Sequence, residues 1–311
     1  MLSNTRNKEE EILEQDKIEK FLAYHGKVSV VIARTTHLLQ QVRDKQDLSP
    51  TASAALGRVL TMTAMMGSRL KGEKDKITIQ IRGNGPIGSI VAVGNAKSEV
   101  KGYVGNPLVD LPIREDGKLD VGMAVGRQGF LYVIKDLGLK EPYQGMVPII
   151  SGEIAEDFTH YFATSEQTPC AIALGVLVDK KGIKVAGGYM VSPMPDAPEE
   201  VIDQLEEQLQ KVGQVSNLLE SNTSLLEVAK QVTGDEEVQM LPEQVQPNFV
   251  CECNKEKIEK MLLSLGKKEL QEMLEQEKET EIACHFCGSK YKITKEELRN
   301  LMNNAEEKKN P

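Results

Sequence analysis

The sequence predicts an α+β protein: an N-terminal antiparallel-sheet core domain with packed helices, a helical linker, and a small C-terminal helical module. Three observations predict it. Short β-rich runs separated by glycine-bearing turns recur through residues 1–192. A proline cluster at Pro193, Pro195 and Pro198 then breaks the sheet pattern and opens an acidic stretch over 193–250. Finally, two close pairs of cysteines frame helical stripes in residues 251–311.

Within the core, runs at 28–33, 77–82, 89–93, 129–134, 171–178 and 183–191 read as strands. The turn Asp179-Lys180-Lys181-Gly182 suits a hairpin. Two helices interrupt the strands. One opens at Ser49-Pro50, an N-cap followed by a proline at the first helical position, and its Ala52, Ala54, Ala55 and Gly57 let a neighbour approach closely. The other spans about 152–165, with Ile154, Phe158 and Phe162 as one apolar stripe. Between them, Gly83-Asn84-Gly85-Pro86-Ile87-Gly88 matches the dinucleotide fingerprint letter for letter. That fingerprint needs a helix N-terminus to hold the pyrophosphate, and the residues that follow, Ser89-Ile90-Val91-Ala92-Val93, are strand-like. The glycines therefore read as a turn between antiparallel strands.

The acidic stretch 193–250 carries 2 Lys+Arg against 12 Asp+Glu, while residues 1–192 carry 24 against 22 and residues 251–311 carry 12 against 13. The middle segment thus accounts for the whole net charge of −9. Val201, Leu205 and Leu209, widened by Ile202 and Val212, mark one amphipathic helix, and Leu225, Leu226, Ala229 and Val232 mark a second. With Phe249 as its single aromatic, the segment has little apolar area to offset the entropy of ordering it. It is expected to be a metastable linker.

The last sixty residues show Ile258, Met261, Leu262 and Leu265 at helical spacing, a break at Gly266, then Leu270, Met273 and Leu274. Thr294-Lys295-Glu296-Glu297 is a capping box, followed by Leu298, Leu301 and Met302. A module this small buries little core and often needs a metal.

Cys251-Glu252-Cys253 and Cys284-His285-Phe286-Cys287 supply four thiolates, which suit tetrahedral zinc. Gly288 permits a tight turn in which backbone N–H groups face the sulfurs. Spacing alone leaves a purely structural zinc site open. The CxC half favours redox sensing, because bound thiolates stay nucleophilic and each has a resolving partner two or three residues away. A thioredoxin-like role would place the CxxC at a helix start, and its flanks here are Glu281-Ile282-Ala283 and Gly288-Ser289. His285 reads as a solvated side chain, Cys170 as a core thiol, and His25, His37 and His160 have no visible nucleophile or carboxylate partner set.

Composition bounds the setting. The dense charge of the first twenty residues excludes a secretory signal there, and Arg58 interrupts the most apolar helix. A cytoplasmic protein without membrane attachment is expected. No basic stripe marks a nucleic-acid surface.

Taken together, the stretch Ser49-Pro50-Thr51-Ala52-Ser53-Ala54-Ala55-Leu56-Gly57-Arg58, the stretch Ile79-Gln80-Ile81-Arg82-Gly83-Asn84-Gly85-Pro86-Ile87-Gly88 and the CxC and CxxC pairs resemble the heat-shock protein 33 family, the redox-regulated 33 kDa chaperonin. The likeness runs over nearly the whole chain, and the charged N-terminal extension is longer than in a minimal member. The resemblance implies an ATP-independent holdase, not an enzyme, inactive when reduced with one zinc per chain on Cys251, Cys253, Cys284 and Cys287. It further implies that oxidation links Cys251 with Cys253 and Cys284 with Cys287, that zinc leaves, and that module and linker unfold. Apolar surface then binds unfolding client proteins, and the active form dimerises. The competing readings are a zinc-ribbon nucleic-acid-binding protein, which predicts salt-dependent binding, and a thiol oxidoreductase using Cys284.

Overall fold

The computed structural model describes residues 15–179, 181–221, 224–275 and 280–307. Most of the charged N-terminal stretch and Lys180 of the expected turn lie outside the described residues. The chain divides into two compact units, Met1–Val250 and Cys251–Pro311.

The first unit is built on two sheets. One holds β1 (Lys17–Ala23), β2 (Val28–Arg34), β8 (Ala171–Asp179), β9 (Gly182–Pro193) and β10 (Gln239–Val245) in the order β10-β1-β2-β9-β8. The other holds β3 (Lys76–Gly83), β4 (Ser89–Asn95), β5 (Glu99–Val104), β6 (Gly129–Asp136), β7 (Tyr143–Pro148) and β11 (Asn248–Phe249) in the order β11-β5-β4-β3-β6-β7. All pairings are antiparallel except β11 on β5. The six strands read from the sequence are all present.

Packing against both sheets, helix α2 (Pro50–Gly67) has every residue buried but Pro50 and Arg58. Ser49 Oγ accepts the amide of Ala52 at 3.1 Å, so the helix begins where its cap and proline dictate. Its small residues serve contact: a Cβ on Gly57 would lie 2.3 Å from Leu39 Cδ2 and 2.9 Å from Val176 Cγ2. Leu39 belongs to α1 (Thr36–Gln46), a helix the sequence reading lacks. Thr35 gives α1 no side-chain cap. Instead the buried carboxylate of Asp16 accepts the amides of His37 at 3.0 Å and Leu38 at 2.7 Å.

The glycine-rich stretch joins β3 to β4 in antiparallel register, as a turn and not a helix start. Its glycines admit the short helix α3 (Val121–Val125): Gly85 N donates to Val125 O at 2.9 Å, and a Cβ there would sit 2.2 Å from Ala124 O. Close backbone approach, not phosphate binding, accounts for the motif.

Helix α4 (Ala155–Thr164) starts three residues later than the sequence suggests. The fully buried Asp157 carboxylate accepts the amides of Ile150, Ser151, Gly152 and Ile154 and so holds 150–154 as a loop. Replacing Asp157 by Ala should destabilise this unit by roughly 3 kcal/mol, since it orphans several buried donors. Thermal melting followed by far-UV circular dichroism checks this, and an unchanged midpoint would count against the loop-organising role.

Residues 193–250 are not helical throughout. Helices α5 (Glu199–Lys211), α6 (Val215–Glu220) and α7 (Leu225–Thr233) are followed by strands β10 and β11, one at an edge of each sheet. The helices share an apolar cluster with the five-stranded sheet: Leu205, Val215, Leu219, Leu225, Val228 and Val232 lie against Phe21, Val28, Val30, Ile32, Val185 and Val191. The grip is uneven. In α5 only Leu205 is buried, and its acidic residues Glu199, Glu200, Asp203, Glu206 and Glu207 are exposed.

The second unit holds α8 (Lys255–Leu265), α9 (Lys267–Glu275), the hairpin β12 (Thr280–Ala283) and β13 (Lys290–Ile293), and α10 (Lys295–Glu307). The hairpin adds a small sheet to a module the sequence reads as helical. Ile258, Leu262, Leu270, Ile293, Leu298 and Leu301 form its core. Met261 and Leu265, half of the expected first stripe, are 46% and 45% exposed. The capping box is formed: Glu297 N donates to Thr294 Oγ1, and Thr294 N to Glu297 Oε2.

Candidate metal centre

Cys251 and Cys253 precede α8, whose N-cap Asn254 accepts the amide of Lys257 at 2.9 Å. Cys284 and Cys287 sit on the turn between β12 and β13. There Cys284 N donates to Ser289 O at 2.9 Å and Gly288 N to Cys284 O at 2.8 Å. Gly288 adopts φ +71°, which a residue with a side chain adopts only with strain. Helix and turn together bring the four sulfurs within 4.8 Å of one another, a group that could hold a metal ion.

All four are free thiols. Two contacts run between the pairs: Cys253 Sγ lies 3.2 Å from Cys287 Sγ, and Cys251 Sγ 3.7 Å from Cys284 Sγ. A tetrahedral tetrathiolate with Zn–S bonds of about 2.3 Å has S···S edges of about 3.8 Å. Both separations lie below that edge, the second only slightly, all four sulfurs stay within 4.8 Å of one another, and the donors are the soft sulfurs zinc favours. The residues present fit the group.

The electrostatics are asymmetric. Burial pushes the Cys251 thiol up to about 12, and it also raises Cys284. Burial acts upward on Cys287 too, but the Ser289 hydroxyl and amide, with Cys253 and Cys251, more than offset it and leave that thiol at about 6. The amides of Phe286 and Cys287 favour the Cys284 thiolate, as the amide of Cys253 favours that of Cys251. Backbone donors therefore face the sulfurs on both arms. Two side chains that the sequence reading did not single out also touch the cluster. Tyr291 Oη donates to Cys253 Sγ at 3.1 Å, and Ser289 Oγ lies 3.2 Å from Cys287 Sγ. Ser289 follows the CxxC directly and was locally legible, whereas Tyr291 lies 38 residues from its partner.

His285 is exposed and does not belong to the sulfur cluster. Cys170 lies against the core of the first unit, far from thiolate chemistry: burial pushes its thiol up to about 12, against the pull of Arg69. Two histidines do have carboxylate neighbours, His37 at 3.5 Å from Asp16 and His25 at 3.8 Å from Glu237. The CxxC is not at a helix start, so the arrangement lacks what a thioredoxin-like site uses. Among the described residues, no helix is long and apolar enough to cross a membrane.

Comparison with known proteins bears on the whole chain. Residues 16–294 match the family model of the Hsp33 protein. The 33 kDa chaperonin of Caldanaerobacter subterraneus subsp. tengcongensis is 48% identical over 94% of this chain and 99% of its own length. That of Bacillus cereus is 48% identical over 93% and 99%. A crystal structure of the 33 kDa chaperonin (heat shock protein 33 homolog) of Thermotoga maritima superposes with a TM-score of 0.85 at 38% identity, covering 94% of this chain and 99% of that one.

Proposed function

Because the chain belongs to the Hsp33 family of chaperones, we propose that it is an ATP-independent, cytoplasmic holdase switched on by oxidation of its cysteine cluster. The observation that carries this reading is the four-sulfur cluster in a module with very little core of its own. Cys251, Cys253, Cys284 and Cys287 would hold one zinc per chain, which when bound supplies most of the module's folding free energy, about 10–16 kcal/mol in small zinc modules.

In the proposed switch, peroxide takes two electrons from each thiolate pair. An S–S bond forms, the O–O bond breaks, and two hydroxides leave. Cys251 pairs with Cys253 and Cys284 with Cys287, which removes the donors a metal needs. The module 251–311 then unfolds, and the linker 193–250 lets go of the core 1–192. Support for the second step is the shallow hold of α5 and the unbalanced acidic charge of the segment. Release would bare Phe21, Val28, Val30, Ile32, Val185 and Val191, an apolar sheet face suited to the exposed segments of unfolding proteins, and would favour a homodimer.

Light scattering of a heat-unfolding client tests the switch. The reduced, metal-loaded protein should leave aggregation unchanged, and treatment with peroxide at mild heat should suppress it several-fold, reversibly with thiol reductant. Equal protection by both forms would overturn the reading. Peptide mapping of the oxidised protein decides the pairing, because sulfurs of different pairs are also in contact.

A further inference from the structure

We propose that Tyr291 is a positioning residue of the cluster, the strap that ties the CxC arm to the CxxC hairpin by donating its hydroxyl hydrogen to the Cys253 sulfur. The inference rests on the zinc reading above and goes beyond it, since no ligand role falls on Tyr291.

Geometry carries it. Cys253 enters the cluster from the segment before α8, and Tyr291 stands on β13, paired with Ile282 of β12. The hydrogen bond between them, 3.1 Å from Oη to Sγ, is therefore a link between the two arms that does not pass through a metal. The ring packs against the module's small core, so the hydroxyl is delivered from a held position and not from a free rotor. A protonated phenol is a donor, and a thiolate ligand accepts through the lone pairs it does not give to metal. On the other arm the corresponding place is filled locally, by the Ser289 hydroxyl beside Cys287 and by the turn amides. The CxC arm has the amide of Cys253 facing Cys251, and for Cys253 itself the donor comes from across the module.

A hydrogen bond to a ligating sulfur withdraws electron density and fixes the direction of the sulfur lone pair. Removing such a partner commonly lowers metal affinity 10–100-fold. It also raises the energy of the sulfur lone pairs, so sulfur-to-metal charge-transfer bands move to longer wavelength.

The test uses the full chain in its reduced form, with Tyr291→Phe, which keeps the ring, and Tyr291→Leu, which removes it. Zinc affinity is measured by competition with a chromophoric chelator, and the cobalt(II)-loaded proteins are compared by absorption. We expect Tyr291→Phe to bind zinc about 10-fold more weakly, with its sulfur-to-cobalt band at longer wavelength than in the parent. If Tyr291→Phe matches the parent within threefold and its band is unmoved, while only Tyr291→Leu loses metal, the residue merely packs and the strap is wrong. Absence of stoichiometric zinc in the parent protein would instead overturn the zinc reading, so the two failures are distinguishable.

Discussion

Removal of metal from the reduced protein by a strong chelator should unfold the module 251–311 and leave the two sheets of the first unit intact. The magnitude follows from what each unit buries. Among the described residues the module's core has six buried aliphatic side chains, each contributing roughly 2 kcal/mol on burial, against the ordering entropy of the backbone of three helices and a hairpin. Those opposing contributions nearly cancel in domains of this size, so about 10–16 kcal/mol of metal binding decides whether the module is folded. The first unit rests on a much larger core that runs from α2 into both sheets. Hydrogen exchange read by mass spectrometry should therefore show amides of α8, α9 and the β12–β13 hairpin becoming fully exchangeable on chelation. Amides of β2, β3 and β9 should stay protected. Cys253→Ser should behave like the chelated protein even with zinc present, having lost one of four ligands. Persistent protection of α8 after chelation would mean that the module folds without metal, and the switch would then lack its latch.

The second large effect concerns the linker. Val228→Asp should make the reduced, metal-loaded protein a chaperone without any oxidant. Val228 is fully buried in the cluster that α7 shares with β1, β2 and β9. A carboxylate there has no partner and costs several kcal/mol, enough to detach α7 and with it α5, whose apolar hold is shallow and whose charges already repel. The apolar sheet face beneath would be exposed while the cysteine cluster stayed intact. Light scattering should show client protection by the reduced variant approaching that of the peroxide-treated parent, with zinc still bound at one per chain. Limited proteolysis should cut within 199–233. A variant that is cleaved there and yet does not protect clients would show that the sheet face under the linker is not where clients bind.

Much of this architecture could be read from local chemistry. The start of α2 needs only Ser49, Pro50 and a row of small residues, all adjacent in the chain. Strands β3 and β4 alternate cleanly, and the glycine turn between them is short. The four cysteines announce themselves by spacing. What escaped was nonlocal. Helix α1 has no cap of its own, because its first amides bind Asp16 some twenty residues upstream. Strand β10 contains Pro242 and is mostly exposed, so it shows neither the composition nor the alternation of a strand, and only an edge position tolerates it. Strand β1 lies in a charged region where Ile18 and Phe21 fall among lysines and glutamates. The late start of α4 is set by four amides converging on Asp157. Tyr291 has no sequence signal at all, since nothing local aims a strand tyrosine at a cysteine 38 positions earlier.

The sulfur contacts between the arms have a consequence in the chain statistics of the module. A tie between Cys253 and Cys287 joins positions 34 apart, and one between Cys251 and Cys284 joins positions 33 apart. Crosslinks over such spans remove about 4 kcal/mol of loop freedom from the unfolded chain. Closing each pair on itself instead makes two tiny rings and leaves the 30 residues between them unconstrained at both ends. The same four sulfurs can therefore hold the module's ends together or leave them untethered, with no change in their number and none in the rest of the sequence. Which outcome prevails is decided by the topology of the bonds they make, so under the proposed switch the module would behave as a polymer whose long-range ties are erased by trading them for two short ones.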